Sequence, residues 1–286
     1  MKIACIQMNI SLCSKQENFE RALFLADEAV SKGAEMVVFP EVFSTGFCYG
    51  RIEELAEPCS GPMFEALLDF SKENNCILAG SIIEKADRER ADREGIARKW
   101  PDKENEGRIA PSNKKQSPSC YNLGFCIDSG KLVGSHRKTH LYGPEKEHFI
   151  PGNRIAPINL EKRGLSIGLI VCYEIRFPEI ARKLTLEGAD LLVSVSEIPD
   201  FFGHPWKTLT LARAMENQLP FIACNRTGKD RYSTYFGSSF MANAWGKMLA
   251  EAGKEECVLL GEIDLEKARK VRKTSSIFGD RRPELY

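Results

Sequence analysis

The sequence predicts an α/β protein of layered sheets covered by helices. Short β-branched runs alternate with amphipathic helical windows along the chain, and no shift in composition divides its 286 residues into parts. Residues 2–8 read as a strand, 16–31 as a helix with apolar Phe19, Ala22, Leu23, Leu25, Ala26 and Ala29 on one face, and 34–39 as a second strand. A helix follows near 62–74 and a strand at 76–83. Strands at 121–128 and 131–135 are joined by Ser129-Gly130, a turn pair. Further on come a buried strand at 165–171, a helix at 176–187, a strand at 190–196, a helix at 205–217 and a strand at 220–225. A final sheet region at 238–263 turns at Ala244-Trp245-Gly246 and Ala252-Gly253.

Composition narrows the function. Forty Lys+Arg balance forty Asp+Glu, giving zero formal charge and a pI near 6.9, so no basic field is available to neutralise a nucleic-acid backbone. No secretory h-region opens the chain, and no apolar run nears the roughly 18 residues that cross a bilayer. A cytoplasmic protein without membrane partners is expected. The ten cysteines are too scattered for a disulfide framework and read mostly as reduced, buried thiols. They show no paired zinc-ligand spacing, so no metal is expected. Gly-rich phosphate loops are absent, so no nucleotide cofactor is expected either.

One segment stands apart. From 84 to 115, eighteen of thirty-two residues are charged and large apolar residues are nearly absent. It reads as a solvated surface excursion, partly helical, with opposite charges four apart such as Glu84 and Arg88. A lid or a subunit contact is the sharper alternative.

Three residues sit where strands end. Cys172 follows the apolar run Leu-Ser-Ile-Gly-Leu-Ile-Val and precedes a helix start, so its thiol is presented beside backbone N–H groups of a first turn. Taken alone, it reads as a buried structural cysteine. Glu41 closes the run Met-Val-Val-Phe-Pro-Glu, and Lys138 lies just beyond a Gly-Lys-Leu-Val-Gly hairpin. Together they supply a base, a cation and a nucleophile, the set needed for acyl transfer through a thioester. His136, His140, His148 and His204 raise the alternative of a Cys-His protease, but a histidine in a Lys-x-His-Leu segment reads as structural.

These segments resemble the nitrilase, or carbon-nitrogen hydrolase, superfamily. Its pattern places a Glu after a Phe-Pro strand end, a Lys in Lys-x-His-Leu, and a Cys in Cys-Tyr-[Asp/Glu]-x-Arg-Phe-Pro-Glu. All three occur here in that order, at Glu41, Lys138 and Cys172. Segment 145–152, the stretch from Trp206 to Asn217 and the final Arg-Arg-Pro-Glu-Leu-Tyr add to the match, which covers the chain outside the charged excursion.

The resemblance implies a four-layer α-β-β-α sandwich forming one domain over 1–286, needing no cofactor. It implies that Glu41 is the general base, Cys172 the nucleophile, and Lys138 with the Tyr173 backbone N–H the oxyanion donors. Glu145 is preferred over Glu147 as the second glutamate because it precedes Phe149 at the family's Glu-x3-Phe spacing. The Cys-Tyr-Glu-Ile-Arg-Phe segment is similar to the small-amide, ω-amidase-like branch, so a small amide is the expected substrate. Hydrolysis of N-carbamoyl compounds or nitriles is the enzymatic alternative, and a scaffolding subunit the non-enzymatic one. Where several branch members carry an amide-bearing residue and then Trp before the Pro, this chain has Ser196-Glu197-Ile198-Pro199. Two readings of Glu197 stand: it faces the pocket and favours neutral or cationic substrate tails over acidic ones, or it points away into a salt bridge. A homodimer or larger homo-oligomer is implied as well.

Overall fold

The computed structural model describes residues 1–86 and 118–285. Two six-stranded mixed sheets form its centre. The first contains β1 (Lys2–Gln7), β2 (Met36–Val38), β3 (Ile77–Lys85), β4 (Cys120–Asp128), β5 (Lys131–Arg137) and β14 (Cys257–Glu262), in the order β14-β1-β2-β3-β4-β5. The second contains β6 (Ile158–Leu160), β7 (Leu165–Val171), β8 (Leu191–Ser196), β9 (Phe221–Asn225), β12 (Phe240–Ala242) and β13 (Met248–Glu251), in the order β13-β12-β9-β8-β7-β6. Each has a parallel core, β1-β2-β3 or β7-β8-β9, flanked by antiparallel strands. A small hairpin, β10 (Thr227–Lys229) and β11 (Thr234–Phe236), stands beside them.

Strand alternation explains the four layers. Ile3 and Cys5 of β1 point into the core shared with Ile167, Leu169 and Val171 of β7, which lies between the sheets. Ala4 and Ile6 point the other way, onto helices α1 (Lys15–Ser31) and α2 (Pro62–Glu73), through Phe19, Ala22, Leu25, Phe64 and Leu67. On the far side Ile170 packs with Leu184 of α3 (Pro178–Leu186) and Trp206 of α4 (Gly203–Asn217). The central strands β1, β2, β7, β8 and β9 are buried on both faces, which is why they read as nearly continuous apolar runs. This is the expected α-β-β-α sandwich.

The differences from the sequence reading are local. Residues Glu84 and Lys85, assigned to the charged excursion, belong to β3, and Glu84 accepts a bidentate pair from Arg137 at 2.7 and 3.0 Å. The remainder of that segment, from residue 87, lies outside the described residues. The region at 238–263 is divided between the sheets, with β14 crossing to pair with β1. The helix expected from 176 begins at Pro178, because a 3-10 turn, Cys172–Arg176, comes first. Eight cysteines are free and five of these are buried, whereas Cys13 and Cys48 form a disulfide.

Close helix-to-sheet approach depends on Gly168. A Cβ there would meet Leu192 Cδ2 at 2.7 Å and Leu184 Cβ at 3.1 Å. Gly168→Val is expected to lower stability by about 1–3 kcal/mol, read as a lower midpoint in urea unfolding.

Candidate active site

The strand ends of the two sheets bring the three predicted residues together. Glu41 lies just past β2, Lys138 directly after β5 and Cys172 directly after β7. Backbone strain marks two of these places. Cys172 has φ of 47° and Val42, next to Glu41, has φ of 38°. A β-branched residue at positive φ is an outlier, and each such residue costs about 1–3 kcal/mol that the surrounding structure must hold.

Lys138 is the centre of the constellation. Its Nζ donates to Glu41 Oε1 at 2.7 Å and to Glu145 Oε1 at 2.6 Å, and all three side chains are buried. Its backbone is pinned by bonds from Lys138 N to Asn122 O and from Gly152 N to Lys138 O, each 2.9 Å. Glu145 is fixed in turn, since its Oε2 accepts from Tyr142 N at 3.0 Å. Glu41 Oε1 also accepts from Asn122 Nδ2 at 2.8 Å, and its Oε2 from Glu197 N at 3.2 Å. Glu147, the rival to Glu145, is exposed and borders a separate surface depression with His148.

The protonation states follow from sharing one ammonium between two carboxylates. Burial works against the charge on Lys138, but Glu145 and Glu41 outweigh it and hold the ammonium well above its ordinary value. Burial pushes Glu145 up to about 7, opposed by Lys138 and reinforced by Glu41. Cys172 keeps an edge on the cavity, while its sulfur is enclosed beside Glu41, Lys138 and Glu145. Burial first, then Glu41, drives its thiol well above the ordinary range. The resting sulfur therefore carries its proton, and chemistry at it requires a base at hand, the position Glu41 holds.

The site opens into a cavity of about 380 Å³. Its walls are mainly aromatic, including Phe47, Tyr49, Tyr142, Tyr173, Phe202 and Trp206, with Arg176, Asp230 and Glu197 as charged members. The Arg176 guanidinium lies 4.6 Å above the Phe202 ring. The Glu197 carboxylate is buried and bonds Arg226 Nη1 at 2.6 Å, and the same nitrogen reaches Asp230 Oδ2 at 3.1 Å. Burial raises Glu197 to about 7 against the pull of Arg226.

Asn122 escaped the sequence reading, although a lone amide inside the apolar strand at 121–128 was the available signal. Arg226 and Asp230 carried none, because the hairpin β10-β11, which Arg226 precedes and whose turn holds Asp230, has no strong strand pattern.

The fold and this site define a hydrolase built on a Glu-Lys-Cys constellation. A family model for carbon-nitrogen hydrolases matches residues 2–273, and the chain belongs to that family. It is 32% identical over 286 residues to a 2-oxoglutaramate amidase of Bacillus subtilis, covering 99% of this chain and 98% of the relative. It is 30% identical over 282 residues to an omega-amidase of Xenopus tropicalis, covering 95% and 92% respectively. Among solved structures, a carbon-nitrogen hydrolase from Helicobacter pylori superposes with a TM-score of 0.81 at 26% identity, covering 100% of this chain and 96% of that one.

Glu145 yields a pH prediction. Protonation below about 7 removes an acceptor from Lys138, so kcat should fall as pH drops through that value. In Glu145→Gln this limb should vanish and activity should be lower throughout, as measured by a kcat–pH profile of both proteins. The stability sign is opposite. A carboxyl whose folded value is raised stabilises most fully below its ordinary value of 4.5, and that contribution is lost as pH rises through about 7.

Proposed function

We propose that the protein hydrolyses a small linear amide to a carboxylic acid and ammonia through a thioester on Cys172. The observation that carries this reading is the buried Lys138 ammonium shared by Glu41 and Glu145, with Cys172 enclosed beside them. As Cys172 Sγ attacks the amide carbonyl, Glu41 takes the thiol proton. The oxyanion forms against the Lys138 ammonium and the Tyr173 N–H, where a single donor is typically worth ~100 to 1000-fold in rate. Collapse breaks the C–N bond, and Glu41 returns the proton so that ammonia leaves. Glu41 then draws a proton from water as it attacks the thioester, releasing the acid and restoring the thiol. Glu145 keeps Lys138 aimed at the oxyanion rather than swinging wholly to Glu41.

For the substrate tail we propose selection by Glu197. Glu197 and Asp230 face a single guanidinium, Arg226, so this wall of the cavity keeps a net negative charge that disfavours an acidic tail. Arg176 on the cavity wall favours a second reading, an acidic tail like that of 2-oxoglutaramate, the compound named for the Bacillus relative. We further propose a single domain, a cytoplasmic location, supported by the eight free cysteines, and a homodimer or larger homo-oligomer. The oligomer is supported by Met215 and Trp245, which are 56% and 58% exposed on α4 and the adjoining turn at Gly246.

Ammonia release from neutral, acidic-tailed and amine-tailed amides, with nitriles and N-carbamoyl compounds alongside, is the direct test. Amide turnover that disappears in Cys172→Ala is expected. Neutral and amine-tailed amides should be preferred, and Glu197→Gln should shift the profile toward acidic tails. An unchanged profile in that variant would remove Glu197 from substrate selection. Sedimentation of the wild type should show a dimer or larger species that Met215→Glu weakens.

A further inference from the structure

Glu174 is completely buried two residues after the nucleophile. Its Oε1 accepts from Thr139 N and from Thr139 Oγ1, both at 2.7 Å. Its Oε2 accepts from Val171 N and from His136 Nε2, both at 2.8 Å. Four donors saturate the carboxylate. Their places in the chain matter more than their number: Thr139 directly follows Lys138, and Val171 directly precedes Cys172. Thr139 lies two residues past β5 and Val171 ends β7, and these strands belong to different sheets.

We infer that Glu174 is a positioning residue that sets the distance between the Lys138 ammonium and the Cys172 thiol by binding both backbones through one carboxylate. The inference rests on the amide hydrolysis proposed above, since it is in that reaction that ammonium and sulfur must flank one carbonyl.

The positive φ of Cys172 makes such a clamp necessary. A residue held in the left-handed region persists there only where the surrounding structure fixes it, and Glu174 holds the N–H of Val171, the residue immediately before it. The Lys138 loop has its own restraint from β4 through Asn122 O, but the described bonds of Asn122 fix the lysine to the first sheet alone. The Lys138 ammonium also reaches the second sheet through Glu41, which accepts from Glu197 N, but Glu174 is the carboxylate that joins the backbone beside Lys138 to the backbone beside Cys172. Its electrostatics agree with this role. Burial pushes the acid upward, but His136 and the bonds from Thr139 and Val171 bring it down to about 2, so all four acceptor positions stay filled. Burial likewise works against a charged His136, and attraction to Glu174 outweighs it and raises the imidazole.

The test uses Glu174→Gln and Thr139→Val in the full chain. Both are read by kcat per chain whose Cys172 can be alkylated, by KM, and by the rate at which iodoacetamide alkylates Cys172. Glu174→Gln is expected to lower kcat per competent chain by ~100-fold, the usual scale for misplacing reacting groups by about 1 Å, with KM little changed and alkylation slowed. Thr139→Val should move kcat and alkylation the same way by less. The double variant should be no worse than Glu174→Gln alone, because both changes break one connection. A residue that only stabilises the fold would reduce the fraction of competent chains and leave kcat per competent chain at the wild-type value, and that result would overturn the inference. Should Glu174→Gln not fold, wild-type kcat and alkylation rate in Thr139→Val would overturn it equally. Alkylation needs no turnover, so a wild type that releases ammonia from no amide would defeat the proposed reaction while the alkylation rates still decide the role of Glu174.

Discussion

A single buried ammonium shared by two carboxylates is the constraint around which the site is organised. Removing Lys138 from water is costly, and only Glu41 and Glu145 together, each within 2.7 Å, make its charge tolerable there. Burial, reinforced by the neighbouring Glu41, raises Glu145 against the pull of Lys138, while the two carboxylates hold the ammonium charged. It also denies the sulfur an easy route to thiolate, since the carboxylates lie beside it as well. The result is a centre in which cation, acid and thiol have different proton affinities although all three are enclosed.

The sandwich exists to deliver these groups to one point. Parallel strands in two facing sheets end on the same side, so Glu41, three residues past β2, and Cys172, directly after β7, meet at the edge of the core formed by Ile3, Cys5, Ile167 and Leu169. Open α/β sheets bind ligands at the carboxyl ends of their strands for this reason. The aromatic walls supplied by 47–49, 142, 173 and 202 then close the space above the sulfur and lower its dielectric, which strengthens each charge interaction inside it.

Much of this was legible in the amino-acid order, for identifiable reasons. Long apolar runs such as Leu165–Val171 announced strands buried on both faces, and the i, i+3, i+4 spacing of Phe19, Ala22 and Ala26 announced α1. Glu41 and Cys172 were recognisable because each follows such a run, and Lys138 because it lies just beyond a Gly-Lys-Leu-Val-Gly hairpin in a Lys-x-His-Leu segment. The second tier was not. Asn122 and Arg226 act through partners 81 and 29 residues away, Glu41 and Glu197, and no local pattern encodes those pairings. The crossing of β14 to the first sheet and the Cys13–Cys48 disulfide are likewise long-range facts of topology. For Glu197 the sequence indicated a charged wall, but only packing reveals that Arg226 takes up much of that charge.

In the proposed reaction Cys172 rests protonated, its thiol raised by burial and by Glu41, and gives up that proton only as it attacks. Ultraviolet thiolate absorbance of the wild type minus that of Cys172→Ala, followed across pH, measures it directly. The account predicts no thiolate at neutral pH and none until the solution is more alkaline than an ordinary thiol requires. A thiolate already present near neutrality would mean a preformed Cys172–Lys138 ion pair and would contradict the role given to Glu41.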